Sequence, residues 1–504
     1  MVSPDRTLPQ LAVRLLIWTF LLLTAIFGLE LAFDLWRSGT TFAELQLSPR
    51  QVQALASTVS RAFNNLMTMV LAFIALAIPI TANMYTPKLI EIFVSDRVNI
   101  AALLFFAIMG AHGIFAQAMA FEQWAPVLQF GIAWTSGVLG FALLIPYYLY
   151  VLSFLDPDRI IQRVTRRITA EYGPIARQER PMEAARRRLN NRILHLGNVI
   201  LRAIDRSDRD VSLSSIAALR RAVELYLDTK PGLPPAWFEI DARLFVGLSE
   251  EALELLARDR TWVEHRCLSQ LLLAYQAALA HMQDAISAIS DVNRAVALHA
   301  RARGDVHALE LCVRFFNTYL RSAVRKRDVH AIYDVFYQYK LLARDLLASH
   351  PSVALSIARY FKYYADFARH EKVPFVYELA ASDLSSVVEC AYGVQSPARR
   401  EILDIFLAFD AEDTTLRMTS ARALLAGYLL DAGCAEEAAL VADRLYASDP
   451  AQVRRARRNI LETTEPAFWE VTDRQRNLDF VEPKHRETVA RLLADILAKR
   501  REEP

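Results

Sequence analysis

The chain has 504 residues, of which 54% are apolar and only 23% are charged, and its formal net charge is +2. A mean hydropathy of +0.17 is too high for an ordinary soluble enzyme of this size, so part of the chain is expected to lie in lipid. Glycine is scarce, and no two glycines after Gly140 have the spacing of a phosphate-binding loop, which disfavours nucleotide-binding enzyme folds.

The four cysteines are far apart and include no C-x-x-C pair, so their spacing indicates neither a disulfide framework nor a zinc site. This usage is typical of a reducing compartment. We find no catalytic signature and predict no cofactor and no metal.

Four apolar stretches predict a transmembrane domain of four helices over residues 1–155. Residues 62–87, 98–121 and 123–155 contain no charged side chain, and each exceeds the roughly 20 residues that a spanning helix needs. Residues 15–29 reach that length if the helix continues through Glu30. A cleaved signal peptide is the alternative for this first stretch, although no small-x-small cleavage site follows it. The spans are expected at about residues 11–35, 63–85, 99–121 and 127–154.

Arginines concentrate after the last predicted span, whereas the loop at residues 120–126 carries only Glu122. Because cytoplasmic flanks retain basic residues, both termini are expected in the cytoplasm. Arg37, Arg50 and Arg61 lie in the loop between spans one and two, which weakens this rule locally without reversing it.

The segment between spans two and three predicts a short amphipathic helix, since Thr86 can cap a helix and Pro87 suits its first position. The same segment resembles a family of predicted bacterial membrane proteins of unknown function. Members have an aromatic residue, Ser or Thr, Pro, a basic residue and Leu, followed by Phe, Asp-Arg and Asn or Gln. The matching positions are Tyr85, Thr86, Pro87, Lys88, Leu89, Phe93, Asp96, Arg97 and Asn99. The resemblance covers roughly residues 57–167 and implies a multi-span protein of the bacterial inner membrane, without an activity or catalytic residues.

Polar side chains within the spans are candidates for function, because they are costly at bilayer depth. His112 lies near the middle of span three, and Thr68 and Asn83 lie in span two. One interpretation is structural, with hydrogen bonds and small residues joining neighbouring helices. The other makes His112 a titrating gate and the small face of span two the lining of a pore. Glu30 and Asp34 share a helix face in span one, where they attract cations or mark the water boundary.

Residues 156–181 predict a basic amphipathic helix on an anionic leaflet, where each basic residue contributes about 1 kcal/mol. Its candidate lipid contacts are Arg159, Arg163, Arg166 and Arg167.

Residues 182–504 show helical periodicity throughout and predict stacked antiparallel hairpins, that is, an irregular α-solenoid in an all-α protein. Asp305-Val306-His307-Ala308 recurs as Asp328-Val329-His330-Ala331, and each Asp can cap a new helix. Residues of about 419–450 resemble a tetratricopeptide unit, with a glycine turn, an acidic pair and a terminal proline.

An aromatic and basic cluster spans residues 315–367 and includes Tyr337, Tyr360 and Tyr364 as a candidate partner groove. Packing in the core is the alternative, because the aromatics recur three and four residues apart. Acidic residues interrupt the positive charge, so we expect no nucleic acid partner.

These observations favour a membrane-anchored scaffold or adaptor that binds protein partners on the cytoplasmic side of the bilayer. The alternative is an ion channel or transporter, assembled as a homo-oligomer, with a regulatory helical domain. An enzyme would need a site that the sequence does not reveal.

Overall fold

The computed structural model describes residues 21, 25–30, 32–34, 36, 49–84, 89–119, 127–179, 181–245, 247–279, 281–409, 415–467, 477 and 479–502. Within these ranges the protein is all-helical, as predicted, and has no strand. The chain divides into two compact units, Met1–Ile160 and Ile161–Pro504.

The described part of the first unit includes helices α1 (Pro49–Met84), α2 (Leu89–Val94), α3 (Arg97–Ala118) and α4 (Val127–Leu155). Residues 25–30 and 32–34 are also helical and are called the N-terminal helical segment. Three stretches of the described chain are long and apolar enough to cross a membrane, namely Gln53–Thr81, Arg97–Ala118 and Leu128–Leu155. These are three candidate spans rather than the four predicted, since the stretch at about 11–35 lies mostly outside the described residues.

Helix α1 begins at Pro49, well before residue 63, where the second span was predicted to start. Arg61 does not interrupt it, because the exposed guanidinium donates hydrogen bonds to the carbonyl and hydroxyl oxygens of Ser57, one turn earlier. The Arg61 guanidinium is thus hydrogen-bonded within its own helix, α1.

Small residues bring the spanning helices together, as the structural interpretation of the polar and small faces predicts. Helix α1 packs against α3 and α4, and α3 packs against α4. A Cβ atom built at Gly140 of α4 would lie 2.8 Å from the ring of Phe63 in α1. A Cβ at Gly113 of α3 would lie 3.4 Å from the backbone of Ser60. Glycine permits this approach, so substitution at Gly140 would force the helices apart.

The turn before α3 is a hydrogen-bonded bracket. The Asp96 carboxylate accepts hydrogen bonds from two backbone N–H groups in the first turn of α3, and the Tyr150 hydroxyl of α4 donates to it at 2.7 Å. The buried Asn99 amide donates to the Phe93 carbonyl at 3.2 Å. Three residues of the family motif, Phe93, Asp96 and Asn99, therefore hold the turn between α2 and α3 against α4. The predicted cap residues Thr86 and Pro87 lie outside the described residues.

The helices that follow are α5 (Pro157–Thr169), α6 (Tyr172–Ala176), α7 (Met182–Asp205), α8 (Arg209–Thr229), α9 (Glu250–Arg258), α10 (Trp262–Ala278), α11 (Gln283–Ala302), α12 (Val306–Lys326), α13 (Val329–Leu346), α14 (Pro351–His370), α15 (Phe375–Gly393), α16 (Arg399–Leu407), α17 (Leu416–Asp431), α18 (Ala435–Tyr446), α19 (Pro450–Glu462) and α20 (Pro483–Glu502). Three 3₁₀ turns lie between α8 and α9, at Lys230–Gly232, Pro235–Phe238 and Ala242–Leu244.

Contacts in the second unit follow two series of alternate helices. Helices α8, α11, α13, α15 and α17 contact one another in that order, and so do α7, α10, α12, α14 and α16. Helices adjacent in the chain, such as α11 and α12 or α14 and α15, connect the two series. At the C-terminal end, α17 packs against α18, α19 and α20 around a buried cluster that includes Leu445, Ile460 and Leu493.

The repeated Asp-Val-His-Ala motif does what its sequence predicts. The carboxylate of Asp305 accepts a hydrogen bond from the Ala308 N–H at 3.0 Å, and that of Asp328 accepts one from the Ala331 N–H at 3.0 Å. Each aspartate caps the helix that follows it, α12 or α13. The aspartates therefore fix where two consecutive helices begin.

Candidate functional site

Most of the aromatic side chains in the aromatic and basic cluster are buried in the core. The side chains at its centre are completely buried, namely those of Phe316, Tyr319, Phe336, Tyr339 and Phe361. They stack across helices, with the Phe316 and Tyr339 ring centroids 4.9 Å apart. Packing thus accounts for these aromatics, as the helical spacing suggests.

A groove remains at the surface between α12 and α14 and is called the α12/α14 groove. Its volume is about 300 Å³. The residues that line it are Arg314, Asn317, Arg321, Tyr360, Tyr363 and Tyr364. Two of the three tyrosines that the sequence assigns to a partner groove, Tyr360 and Tyr364, therefore line it.

The third, Tyr337, lies on α13 and is half-buried, with the Lys340 ammonium 5.1 Å from its ring centroid. It is not among the residues that line the groove. The sequence interpretation missed Arg314 and Asn317, although positions 314, 317 and 321 share one face of a helix because they are three and four residues apart.

Hydrogen bonds hold the groove in shape. The Arg321 guanidinium lies 3.4 Å from the Tyr363 hydroxyl, to which it donates, and the buried Tyr339 hydroxyl donates to the Asn317 side-chain oxygen at 3.1 Å. Burial raises the pKa of Tyr364, and a hydrogen bond from Arg321 offsets only part of that effect. The Tyr364 phenol therefore stays protonated at neutral pH and can donate a hydrogen bond.

The groove is positively charged. Arg314 and Arg321 are exposed, and within the described residues neither guanidinium forms an ion pair. Guanidinium groups bind carboxylates and phosphates through two parallel hydrogen bonds. Two arginines beside three tyrosines form a surface that can bind an anionic segment.

A second candidate lies in the first unit. The Oε2 atom of Glu30, in the N-terminal helical segment, lies 2.7 Å from Nε2 of His112 in α3. Both side chains are buried, with 9% of the Glu30 and 1% of the His112 side chain exposed. The Phe27 ring covers the imidazole at a centroid distance of 5.3 Å. We call these two residues the Glu30–His112 pair.

Asp34 and Gln129 are also buried in the same unit. One carboxylate oxygen of Asp34 accepts a hydrogen bond from the Leu128 N–H at 3.2 Å. Within the described residues, the other Asp34 oxygen, both Gln129 amide atoms and Nδ1 of His112 are buried without a hydrogen-bond partner. The assignment of Glu30 and Asp34 to the water boundary stays a prediction, and the structure adds that both side chains are buried. The sequence interpretation missed Gln129. This residue is the first polar side chain after the start of the fourth apolar stretch, residues 123–155.

The other candidate pore residues lie elsewhere. Thr68 is exposed on α1, and its hydroxyl donates to the Asn64 carbonyl at 2.8 Å within the same helix. Asn83 belongs to the last turn of α1, and its side chain lies outside the described residues. The exposed Thr68 and the buried His112 do not share one surface.

The four candidate lipid-contact arginines lie on α5. Arg159, Arg166 and Arg167 are exposed, and Arg163 is half-buried. Val164 and Ile168, on the apolar side of this helix, are buried within the protein. The apolar side therefore packs against protein rather than entering lipid, and only the arginine side is open to an anionic surface.

A buried ionic network in the second unit was not predicted. The Lys230 ammonium lies 2.6 Å from the Glu264 carboxylate and 2.5 Å from that of Asp305. Burial by itself lowers the pKa of Lys230, but the two carboxylates raise it above its usual value. Burial raises the pKa of Glu264, and Lys230 offsets part of this rise. The three groups join the ends of α8, α10 and α12, and within the described residues no cluster of side chains suits a metal ion.

A comparison with family models identifies part of the chain. Residues 9–212 match the family described as Predicted membrane protein (DUF2254). This DUF2254 match confirms the resemblance and extends beyond residues 57–167 on both sides. It contains the Glu30–His112 pair and the bracket at Asp96, whereas the α12/α14 groove and the Lys230 network lie outside it.

The DUF2254 family is of unknown function, so the match supplies no activity. Neither the curated proteins nor the solved structures gave a match to this chain. A tetratricopeptide unit near residues 419–450 was not identified by these comparisons, and that assignment stays a prediction.

Proposed function

We propose that this membrane protein is a scaffold or adaptor of the bacterial inner membrane. Its helical domain would act in the cytoplasm as a solenoid of stacked hairpins. The two series of contacting helices support a stack, and the arginines on one side of α5 support a cytoplasmic position close to anionic lipid. The observation that carries the proposal is the α12/α14 groove, an unpaired basic and aromatic surface in the domain outside the DUF2254 match.

The chemistry of the groove favours an acidic protein segment as the occupant. Tyrosine and arginine dominate the energetics of protein interfaces, because each combines apolar contact with hydrogen-bond donors. The groove lacks a carboxylate to neutralise its arginines, so a partner carboxylate would gain two charge-assisted contacts. Its volume of about 300 Å³ accommodates a few side chains, which suits a short segment rather than a flat domain surface.

Photocrosslinking of the full-length chain in native membranes tests this proposal. We expect a photoreactive amino acid in place of Tyr363 to capture a protein other than this chain through an acidic segment, as identified by peptide sequencing. The variant with Arg314→Gln and Arg321→Gln should lose at least tenfold of that product. The same amino acid in place of Leu461, an exposed residue of α19, is the matched control.

Equal yields at positions 363 and 461, or a yield that does not depend on the two arginines, would exclude the groove as a partner site. Capture of a second copy of this chain alone would support an oligomer instead of an adaptor.

A channel or transporter is the second candidate function, favoured by the Glu30–His112 pair in the spanning part of the chain. It requires a closed homo-oligomer and conductance in bilayers containing only the purified protein. His112→Ala should alter that conductance, and a strictly monomeric protein without conductance would exclude this function.

A further inference from the structure

The Glu30–His112 pair is the only contact in the described part of the first unit that joins a carboxylate to an imidazole. It connects the N-terminal helical segment to α3, two elements far apart in the sequence. It is independent of the α12/α14 groove, which belongs to the other unit. A buried acid beside a buried base at 2.7 Å is the geometry of proton transfer.

We propose that the Glu30–His112 pair is a proton-binding site within the membrane, with the proton as its ligand. With one proton, the pair is either a carboxylate beside an imidazolium or a carboxylic acid beside an imidazole. Moving the proton from Glu30 to Nε2 of His112 breaks one O–H bond and forms one N–H bond, so no other reactant is needed. Either form has no net charge, which suits burial in a medium of low dielectric constant.

The surroundings leave the pair as a separate site. The other buried titratable groups of the described first unit are Asp34 and Tyr147. Asp34 lies one helical turn from Glu30, and Tyr147 contacts Asn99, which is about 20 Å from His112 at 1.5 Å of rise per residue along α3. On the side of α3 that faces α1, Cβ atoms built at Gly110 and Gly113 would lie 3.4 Å from the uncharged side chains of Asn64 and Ser60.

The polar atoms without partners indicate where a proton can arrive. Nδ1 of His112 is buried and lacks a partner within the described residues, so the ring can accept a proton on one nitrogen and release one from the other. The free oxygen of Asp34 and the Gln129 amide supply further polar groups near the start of α4.

Infrared titration of the full-length protein in lipid nanodiscs tests the site, because it detects the protonation of a single buried carboxyl group. We expect one carboxyl signal that is absent from Glu30→Gln. In His112→Gln, the same signal should titrate with a proton affinity changed at least tenfold. Glu183→Gln, which removes an exposed carboxylate, is the matched control and should leave the signal unchanged.

Glu30→Gln keeps the shape of the side chain, and the thermal melting of each variant checks that it folds. Glu30→Asp is a second variant, which shortens the acid but keeps it titratable, so its signal should persist. A carboxyl signal that is identical in wild type and His112→Gln would overturn the proposal, as would the absence of any signal that depends on Glu30.

Discussion

Replacing Lys230 by Met should destabilise the second unit more than any substitution of an exposed charge. The Lys230 ammonium is the single cation between Glu264 and Asp305, at 2.6 and 2.5 Å. Glu264 is 1% exposed, and one of its oxygens has no partner within the described residues. Without Lys230, a buried carboxylate would be left uncompensated between α8, α10 and α12.

The size of the effect follows from this burial. Removing one member of a buried ion pair costs about 3–5 kcal/mol, because the remaining charge has neither solvent nor a partner. At roughly 2 °C per kcal/mol for a large domain, the melting temperature should fall by about 6–10 °C. Lys484→Met is the matched control, since Lys484 pairs with Glu482 at 2.8 Å on the exposed surface. Its loss leaves Glu482 exposed to solvent, so Lys484→Met should lower the melting temperature far less than Lys230→Met does.

Hydrogen exchange of the full-length protein, measured against urea concentration in detergent, reports the stability of α8, α10 and α12 directly. Adding Glu264→Gln to Lys230→Met should recover part of the loss, because the uncompensated charge is removed. If Lys230→Met costs no more than Lys484→Met, or if Glu264→Gln brings no recovery, the network is not a buried ionic contact of the kind described.

Three other predictions concern the second unit. Burial lowers the pKa of His265 to about 4, so His265 stays neutral in the folded state, whereas in the unfolded state it takes up a proton below about pH 6.5. The free energy of unfolding should therefore fall by up to about 3 kcal/mol as the pH drops from 6.5 to 4. Urea titrations at several pH values measure this dependence, and His265→Gln should remove it. Gly427→Ala would place a Cβ 2.3 Å from Val489 of α20 and should cost about 1–3 kcal/mol in the same assay, whereas Gly232→Ala meets no atom within 4 Å and should be tolerated. Burial raises the pKa of Cys267 and Cys312. An alkylating reagent at pH 8 should therefore modify only the half-buried Cys390 and Cys434 until the protein unfolds. Equal alkylation rates at all four cysteines would contradict the packing of α10 and α12.

Local features of this protein were predictable because their causes are local. A capping aspartate needs only the N–H groups of the next turn, so Asp305 and Asp328 could be identified as helix starts from four residues each. The apolar stretches at α3 and α4 likewise follow from composition alone, and so does the all-helical second unit. The family motif was visible in sequence, but its role as a bracket required Tyr150, which lies more than fifty positions beyond Asp96.

The candidate sites depend on contacts between distant segments. His112 could be singled out as a polar residue at bilayer depth, yet nothing near it in sequence identifies Glu30 as its partner, 82 positions away. Glu30 and Asp34 could be placed on one helix face from their spacing, but their burial depends on neighbours that the sequence does not identify. The groove shows the same limit, since Tyr360 and Tyr364 were selected from a cluster of which several members, such as Phe316, Phe336 and Phe361, are core.

By itself, then, the sequence determined the helical class, the apolar stretches of α1, α3 and α4, the caps at Asp305 and Asp328 and the similarity to a membrane family, because each depends on the identity and spacing of residues that are close in the chain. Only the tertiary structure decided which polar groups meet: Glu30 meets His112, Lys230 meets two carboxylates, and Arg314 and Arg321 form no ion pair with any residue that the structure describes. The physical reason is that burial and pairing are properties of the neighbours that packing supplies, and those neighbours come from helices that the sequence places far apart.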